Sequence, residues 1–247
     1  MGSDLSTAQH WDRQADDWNT WAREPGHDSY WTFHGRAFHS LVPEPSGQGL
    51  ALDLACGEGR VGRDLEAAGW KVVASDYSAR LCAQARASGL EMSVAASAAD
   101  VPFRDGSFDL ITVFMGFHDF DQEVLDSAFA ECARLLRPGG QLVVAINHPV
   151  HSFLHVERLD DSLNFTVKHS YFGEFPYENS ISRDGISLTF RGVQRSIARY
   201  LGGFMGAGVE MKQLLEVTVP DPETTNHKGS ADWANIPMFL DLLLRKP

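Results

Sequence analysis

Two spacings of apolar residues alternate along the middle of this chain. Between residues 50 and 147, apolar runs of strand length are separated by stretches in which apolar residues recur every three or four positions. Residues 50–55 read as a strand interrupted by Asp53. A glycine turn follows at 57–62, then a helix at 63–68. Further strands are expected at 70–75, 91–96, 108–114 and 141–146. Helices are expected at 79–88 and 123–136, the latter closed by Arg137-Pro-Gly-Gly140. Strands separated by helices need crossover connections, which gives a parallel sheet. Two later β-like runs, 211–219 and 238–244, bring the strand count to seven, and a helix is expected at 193–205. Ahead of this core, Trp11, Ala15, Trp18 and Ala22 fall on one helix face.

The divisions follow from composition. Residues 1–45 form an N-terminal arm dense in aromatic residues and end in a Pro/Gly-rich joint. Residues 46–148 form the core, 149–190 an insertion rich in His, aromatic and turn residues, and 191–247 a last helix and final strands. The whole reads as one α/β domain of 247 residues, long enough to bury a core.

A formal charge of −12 argues against a protein that wraps nucleic acid or holds a membrane by a polybasic patch. No apolar run approaches the roughly 20 residues of a membrane helix, and an N-terminus with Asp4 and no apolar block does not read as a secretory signal. Three scattered cysteines, Cys56, Cys82 and Cys132, suggest reduced thiols, so the cytoplasm is expected. The aromatic arm packs either in cis or on a partner of a homo-oligomer; the sequence leaves both open.

Chemistry concentrates at Leu52-Asp53-Leu54-Ala55-Cys56-Gly57-Glu58-Gly59-Arg60. Glycines there let the chain turn sharply and let a ligand approach the backbone. Asp76 ends the next strand, where a carboxylate can accept both hydroxyls of a ribose. Gly57, Gly59 and Gly62 also satisfy GxGxxG, which by itself permits a nicotinamide-dependent oxidoreductase. Asp53 tips the balance: it suits a ligand with a cationic amine, or else caps the turn by accepting backbone N–H groups.

LDLACGEGR resembles the first motif of class I (Rossmann-like) S-adenosylmethionine-dependent methyltransferases. Asp76 in VVASDYS resembles their ribose-binding acid. The stretch from Ser97 to Asp109 and Leu135-Leu-Arg-Pro-Gly-Gly140-Gln-Leu142 resemble the approaches to their fourth and fifth strands. Residues 236–240 resemble the last strand of small-molecule members. The resemblance implies a doubly wound, mostly parallel seven-stranded sheet with helices on both faces. S-Adenosylmethionine is the implied cofactor and S-adenosylhomocysteine the product. Asp53 and Gly57 would hold the methionine end of the cofactor and the Met115 backbone its amine, with Ala55 and Gly59 also binding the cofactor. Asp76 would take the ribose. Tyr77 would lie on the adenine, read by Asp100 with the Ala99 and Val101 backbone. Asp109 is assigned to structure.

Methyl transfer chiefly needs nucleophile and methyl aligned roughly 3 to 3.5 Å apart, with a base only for a protonated nucleophile. His118, after strand four, is the first candidate for base or orienter, since histidine titrates near neutrality. Tyr171 ranks next. Trp18, Trp21, Trp31, Phe117 and His148 are candidates to line an acceptor pocket. His148, His151 and His155 have a metal-like spacing, but Pro149 interrupts it and the transfer needs no metal, so none is expected. The acceptor is expected to be a small aromatic or apolar metabolite, methylated at O, N or C. Alternatives are a non-methylating binder or cyclase of the same fold, or the nicotinamide enzyme. Sixteen arginines against five lysines hint at a GC-rich bacterial source and secondary metabolism.

Overall fold

The computed structural model describes residues 7–159, 162–219 and 234–247. Residues 1–6, with Asp4, and parts of the insertion and C-terminal segment lie outside them. Seven strands form one sheet in the order β10-β11-β5-β4-β1-β2-β3. They are β1 (Leu50–Leu54), β2 (Lys71–Asp76), β3 (Ser93–Ala95), β4 (Phe108–Phe114), β5 (Leu136–Asn147), β10 (Glu210–Val217) and β11 (Phe239–Arg245). The first five are parallel; β11 runs antiparallel to β5, and β10 to β11. The chain moves outward from β1 through β2 and β3, then returns to β4 and moves the other way. The reversal lies between β1 and β4, the place where sheets of this class bind ligands.

Helices cover both faces. A π-helical turn (Tyr30–His34), α2 (Gly35–His39), α3 (Arg60–Ala67) and α4 (Ala79–Ala87) lie over one face, around buried Phe38, Leu65, Trp70, Ala85 and Phe114. On the other, α5 (Gln122–Leu135) and α7 (Ile197–Gly206) pack Phe129 and Phe204 against β4 and β5. Strands of the centre are buried on both sides, as their near-continuous apolar runs require. Asp109 accepts the Leu50 N–H at 2.8 Å and pairs with Arg137, tying the starts of β1, β4 and β5 together.

The arm folds as α1 (Thr7–Arg23), with Ala15, Trp21 and Ala22 buried. It packs in cis, between α4 and the insertion. The insertion contains a short helix, α6 (Pro149–Phe153), and two hairpins. These pair β6 (Leu154–Leu159) with β7 (Ser162–Val167), and β8 (Phe175–Arg183) with β9 (Ile186–Gln194). The long hairpin turns at Asp184-Gly185, both with positive φ, a sequence suited to a tight hairpin turn. It carries pairing to Gln194, so α7 starts later than the spacing predicts.

Candidate active site

The carboxyl ends of β1 and β4 hold two non-glycine residues in the left-handed region, Ala55 at φ 57° and Met115 at φ 61°. Such backbone costs about 1–2 kcal/mol per residue and tends to persist at functional sites. Gly57 follows at φ 57° and donates its N–H to Asp76 Oδ2 at 2.8 Å. Asp76 Oδ1 accepts the Ser78 N–H at 2.9 Å. Each oxygen keeps a further lone pair on a half-buried side chain, so the carboxylate fits a pair of ribose hydroxyls. Burial pushes its pKa up.

Asp53 is spent differently. It is 1% exposed; Oδ2 accepts the Gly62 N–H at 2.9 Å and Oδ1 the Thr112 hydroxyl at 3.1 Å. The close approach needs Gly62, because a Cβ there would stand 3.2 Å from Asp53 Oδ2 and 2.6 Å from Leu90 Cδ1. Asp53 thus ties β1 to β4 and holds the start of α3. The turn-capping alternative prevails, and the cationic-amine alternative lacks an exposed oxygen. Burial pushes its carboxyl up to about 7.

Around the expected adenine position, Tyr77 is exposed and the Asp100 side chain faces solvent. The backbone around them is committed: Ala99 N–H donates to Ser97 Oγ at 3.2 Å, and Val101 N–H donates to Glu131 Oε1 at 2.8 Å. Asp100 keeps a free carboxylate, whereas Val101 is a core residue with no N–H to offer a ligand. Met115 N–H donates to Ala145 O at 2.8 Å, which leaves its carbonyl for the cleft.

Above the glycine turn lies α1. Trp18 Nε1 comes within 3.1 Å of where a Gly57 Cβ would be. The ring meets Trp11 and Phe190 edge-on, and the Arg60 guanidinium lies 5.2 Å from its centroid. Arg60 also stacks over Tyr30 at 4.3 Å and pairs with Asp28 at 2.5 Å. At the other side Trp11 Nε1 donates to Asp119 Oδ2 at 3.3 Å. A cavity of about 40 Å³ remains between Thr7, His10, Trp11, Asp119 and Arg191, space for a water or two.

Several expected pocket residues are structural instead. Phe117 is fully buried, stacked on Phe129 at 5.3 Å and edge-on to Phe204 at 5.1 Å. Trp21 is 2% exposed and packs on His27. Trp31 faces outward, 46% exposed, with its N–H on Ala22 O. His148 accepts the Val150 N–H at Nδ1 and meets Glu216 at Nε2, so both ring nitrogens are committed. His148 caps α6, His151 lies within it and His155 on β6, so the three share no helix face. Tyr171 Oη accepts the Ile197 N–H at the start of α7, a capping role.

His118 is 7% exposed, with Nε2 3.3 Å from Asp119 Oδ1 and no partner at Nδ1. Burial, reinforced by the Arg195 charge, pulls its pKa down to about 3, which suits an orienter better than a base. A second buried pair escaped the sequence reading: His34 Nε2 meets Asp241 Oδ1 at 2.9 Å, both side chains fully buried. Asp241 stands level with Ala145 and hence with Phe114, the last residue of β4. Only an internal polar residue within the apolar run FLDLLL signalled it.

A family model described as a methyltransferase domain matches residues 52–144, from β1 through most of β5. The fold around it is the class I, Rossmann-like one. A demethylmenaquinone methyltransferase of Beutenbergia cavernae is 39% identical over 95 residues, covering 38% of this chain and 39% of the relative. The chain therefore spans about two fifths of that relative's length. An S-adenosylmethionine-dependent methyltransferase from Mesorhizobium loti superposes with a TM-score of 0.70 at 22% identity, covering 89% of this chain and 98% of that one. The cyclase SpnF superposes at 0.63 and 18% identity, covering 97% and 95%. At these identities the structures share the fold.

Proposed function

We propose that the whole chain moves a methyl group from S-adenosylmethionine to O, N or C of a small aromatic or apolar acceptor. The observation that carries this is the carboxylate of Asp76, drawn against the Gly57 N–H at the reversal between β1 and β4. Asp76 would receive the ribose hydroxyls, Tyr77 the adenine face, the Asp100 carboxylate the adenine amine and the Met115 carbonyl the methionine amine. Gly57, Gly59 and Ala55 shape the turn that admits the ligand. When bound, the sulfonium supplies an electrophilic methyl whose leaving group departs neutral. The chain's part is to align the acceptor against that methyl and to exclude water. Trp18 is the one expected pocket aromatic that reaches the turn.

An aromatic acceptor is supported by the aromatic arm, and by the quinone in the name of the Beutenbergia relative. Titration calorimetry with S-adenosylmethionine and S-adenosylhomocysteine tests the reading. Asp76→Ala is expected to weaken both at least tenfold with the fold intact by circular dichroism; unchanged affinity would remove the ribose assignment. The likeness to SpnF favours a second reading, a cyclase that keeps the cofactor and transfers no methyl. Tight binding without turnover on any acceptor would select it.

A further inference from the structure

The ribose, adenine and ammonium of the proposed ligand have receptors; its carboxylate has none. Ammonium and carboxylate sit on one carbon, so their receptors must be neighbours. The Met115 carbonyl would hold the ammonium, at the end of β4. Arg60 stands beside it: its guanidinium is 5.5 Å from the ring centroid of Phe114, the residue before Met115. The same guanidinium is 5.2 Å from the centroid of Trp18, whose Nε1 approaches Gly57. Arg60 therefore lies between the glycine turn and the end of β4, where the methionine end is expected.

The other cations around the turn are spent. Arg23 and Arg63 both donate to buried Glu58, and Arg80 donates to Asp16. Arg60 has a single hydrogen-bond partner among the described residues, Asp28, through Nη1 at 2.5 Å. The rings of Trp18, Tyr30 and Phe114 flank the rest of the group, which is only 9% exposed. An enclosed guanidinium gains from a second charged acceptor, which supplies hydrogen bonds that ring faces cannot. Asp28 is itself anchored: its Oδ1 accepts the Tyr30 N–H at 3.0 Å, at the start of the π-helical turn. The arm thus presents a carboxylate to Arg60 in the place of a ligand's.

We propose that Arg60 is the receptor for the methionine carboxylate of the adenosyl ligand, and that Asp28 competes for it as an internal carboxylate. The inference rests on the methyltransferase reading and adds a residue which that reading leaves out. A ligand that keeps the adenosine but lacks the carboxylate leaves the Arg60–Asp28 pair as it is and gains nothing from it.

The test is calorimetry on the full chain with three ligands. They are S-adenosylhomocysteine, its carboxamide, in which a neutral amide replaces the carboxylate, and 5′-methylthioadenosine, which lacks the amino acid. On the unaltered protein, S-adenosylhomocysteine is expected to bind at least about tenfold tighter than the carboxamide, the worth of one hydrogen bond between charged groups. Arg60→Gln is expected to abolish that preference and to leave 5′-methylthioadenosine unchanged, whereas a merely structural role would weaken all three ligands alike. Asp28→Asn keeps an oxygen for the Tyr30 N–H and removes the competing charge. It is expected to tighten S-adenosylhomocysteine severalfold, with 5′-methylthioadenosine again unchanged. Equal binding of the acid and the carboxamide by the unaltered protein, or a preference that survives Arg60→Gln, overturns the receptor. Unchanged or weaker S-adenosylhomocysteine binding in Asp28→Asn overturns the competition. Should Arg60→Gln fail to fold, the ligand series on the unaltered protein and the Asp28 variant still decide. Failure of all three ligands to bind would instead overturn the methyltransferase reading.

Discussion

Asp53 shows how one side chain decides between a ligand contact and an architectural one. Its neighbours Gly62 N–H and Thr112 Oγ are buried and depend on it. Asn is nearly isosteric and can still accept from Gly62 and donate to Thr112. At pH 4, where the buried carboxyl keeps its proton, Asp53→Asn is therefore expected to change stability by less than about 1 kcal/mol in urea titration. Asp53→Ala strands two buried donors and is expected to cost about 2–6 kcal/mol at roughly 1–3 kcal/mol each. Equal losses in the two variants would show that packing, not hydrogen bonding, holds the turn. The glycines and Asp76 were legible in the sequence because turn chemistry is local. The roles of Phe117, His148 and Val101 were not, since each was decided by a distant partner: Phe204, Glu216 and Glu131.

At the scale of elements, the core strands and helices follow from their spacing, and observed ends differ from expected ones by a few residues. The arm's helix was legible from its tryptophan spacing; its destination was not. It lands on α4 through Asp12, whose carboxylate receives the Ser78 hydroxyl and the Arg80 N–H. Arg80 and Gln84 then grip Asp16 at 2.6 and 2.9 Å. Asp12 is thus a second acceptor at the start of a helix that Ser78 already caps. Asp12→Ala is expected to cost about 1 kcal/mol, the usual worth of a cap. Hydrogen exchange is expected to accelerate in α1 while β1, β4 and β5 keep their protection. Uniform acceleration across the sheet would contradict a locally docked arm. The long hairpin lay hidden because its strands are half-polar and exposed, with little apolar signal to read.

For the molecule as a whole, two buried groups oppose one another in pH. Folded Asp53, with a pKa of about 7, holds a proton that the unfolded chain releases above about 4. Its contribution is complete at low pH and lost as pH rises toward 7. Folded His118, at about 3, lacks a proton that the unfolded chain binds below about 6.5. Its contribution is complete above that value and lost as pH falls. Between pH 4 and 6.5 the two slopes cancel. Asp53→Asn removes the first of the two slopes. The variant should lose up to about 1.4 kcal/mol per pH unit, relative to the parent, on going from pH 6.5 to 4. Denaturant titrations across that range check it, and parallel profiles would refute the pairing.

The arm joins two halves that the chain itself keeps apart. One face of α1 holds α4 through Asp12 and Asp16, beside the glycine turn, and the opposite face meets the long hairpin, where His10 and Gln14 reach Thr189 O at 2.8 and 3.0 Å. Any molecule that rearranges the hairpin must therefore also disturb the strut over Gly57. Linkage makes such an influence mutual: whatever factor an acceptor imposes on adenosyl affinity, the adenosyl ligand imposes on the acceptor. For the proposed pair of ligands, the affinity measured for either one is then expected to shift with the concentration of the other.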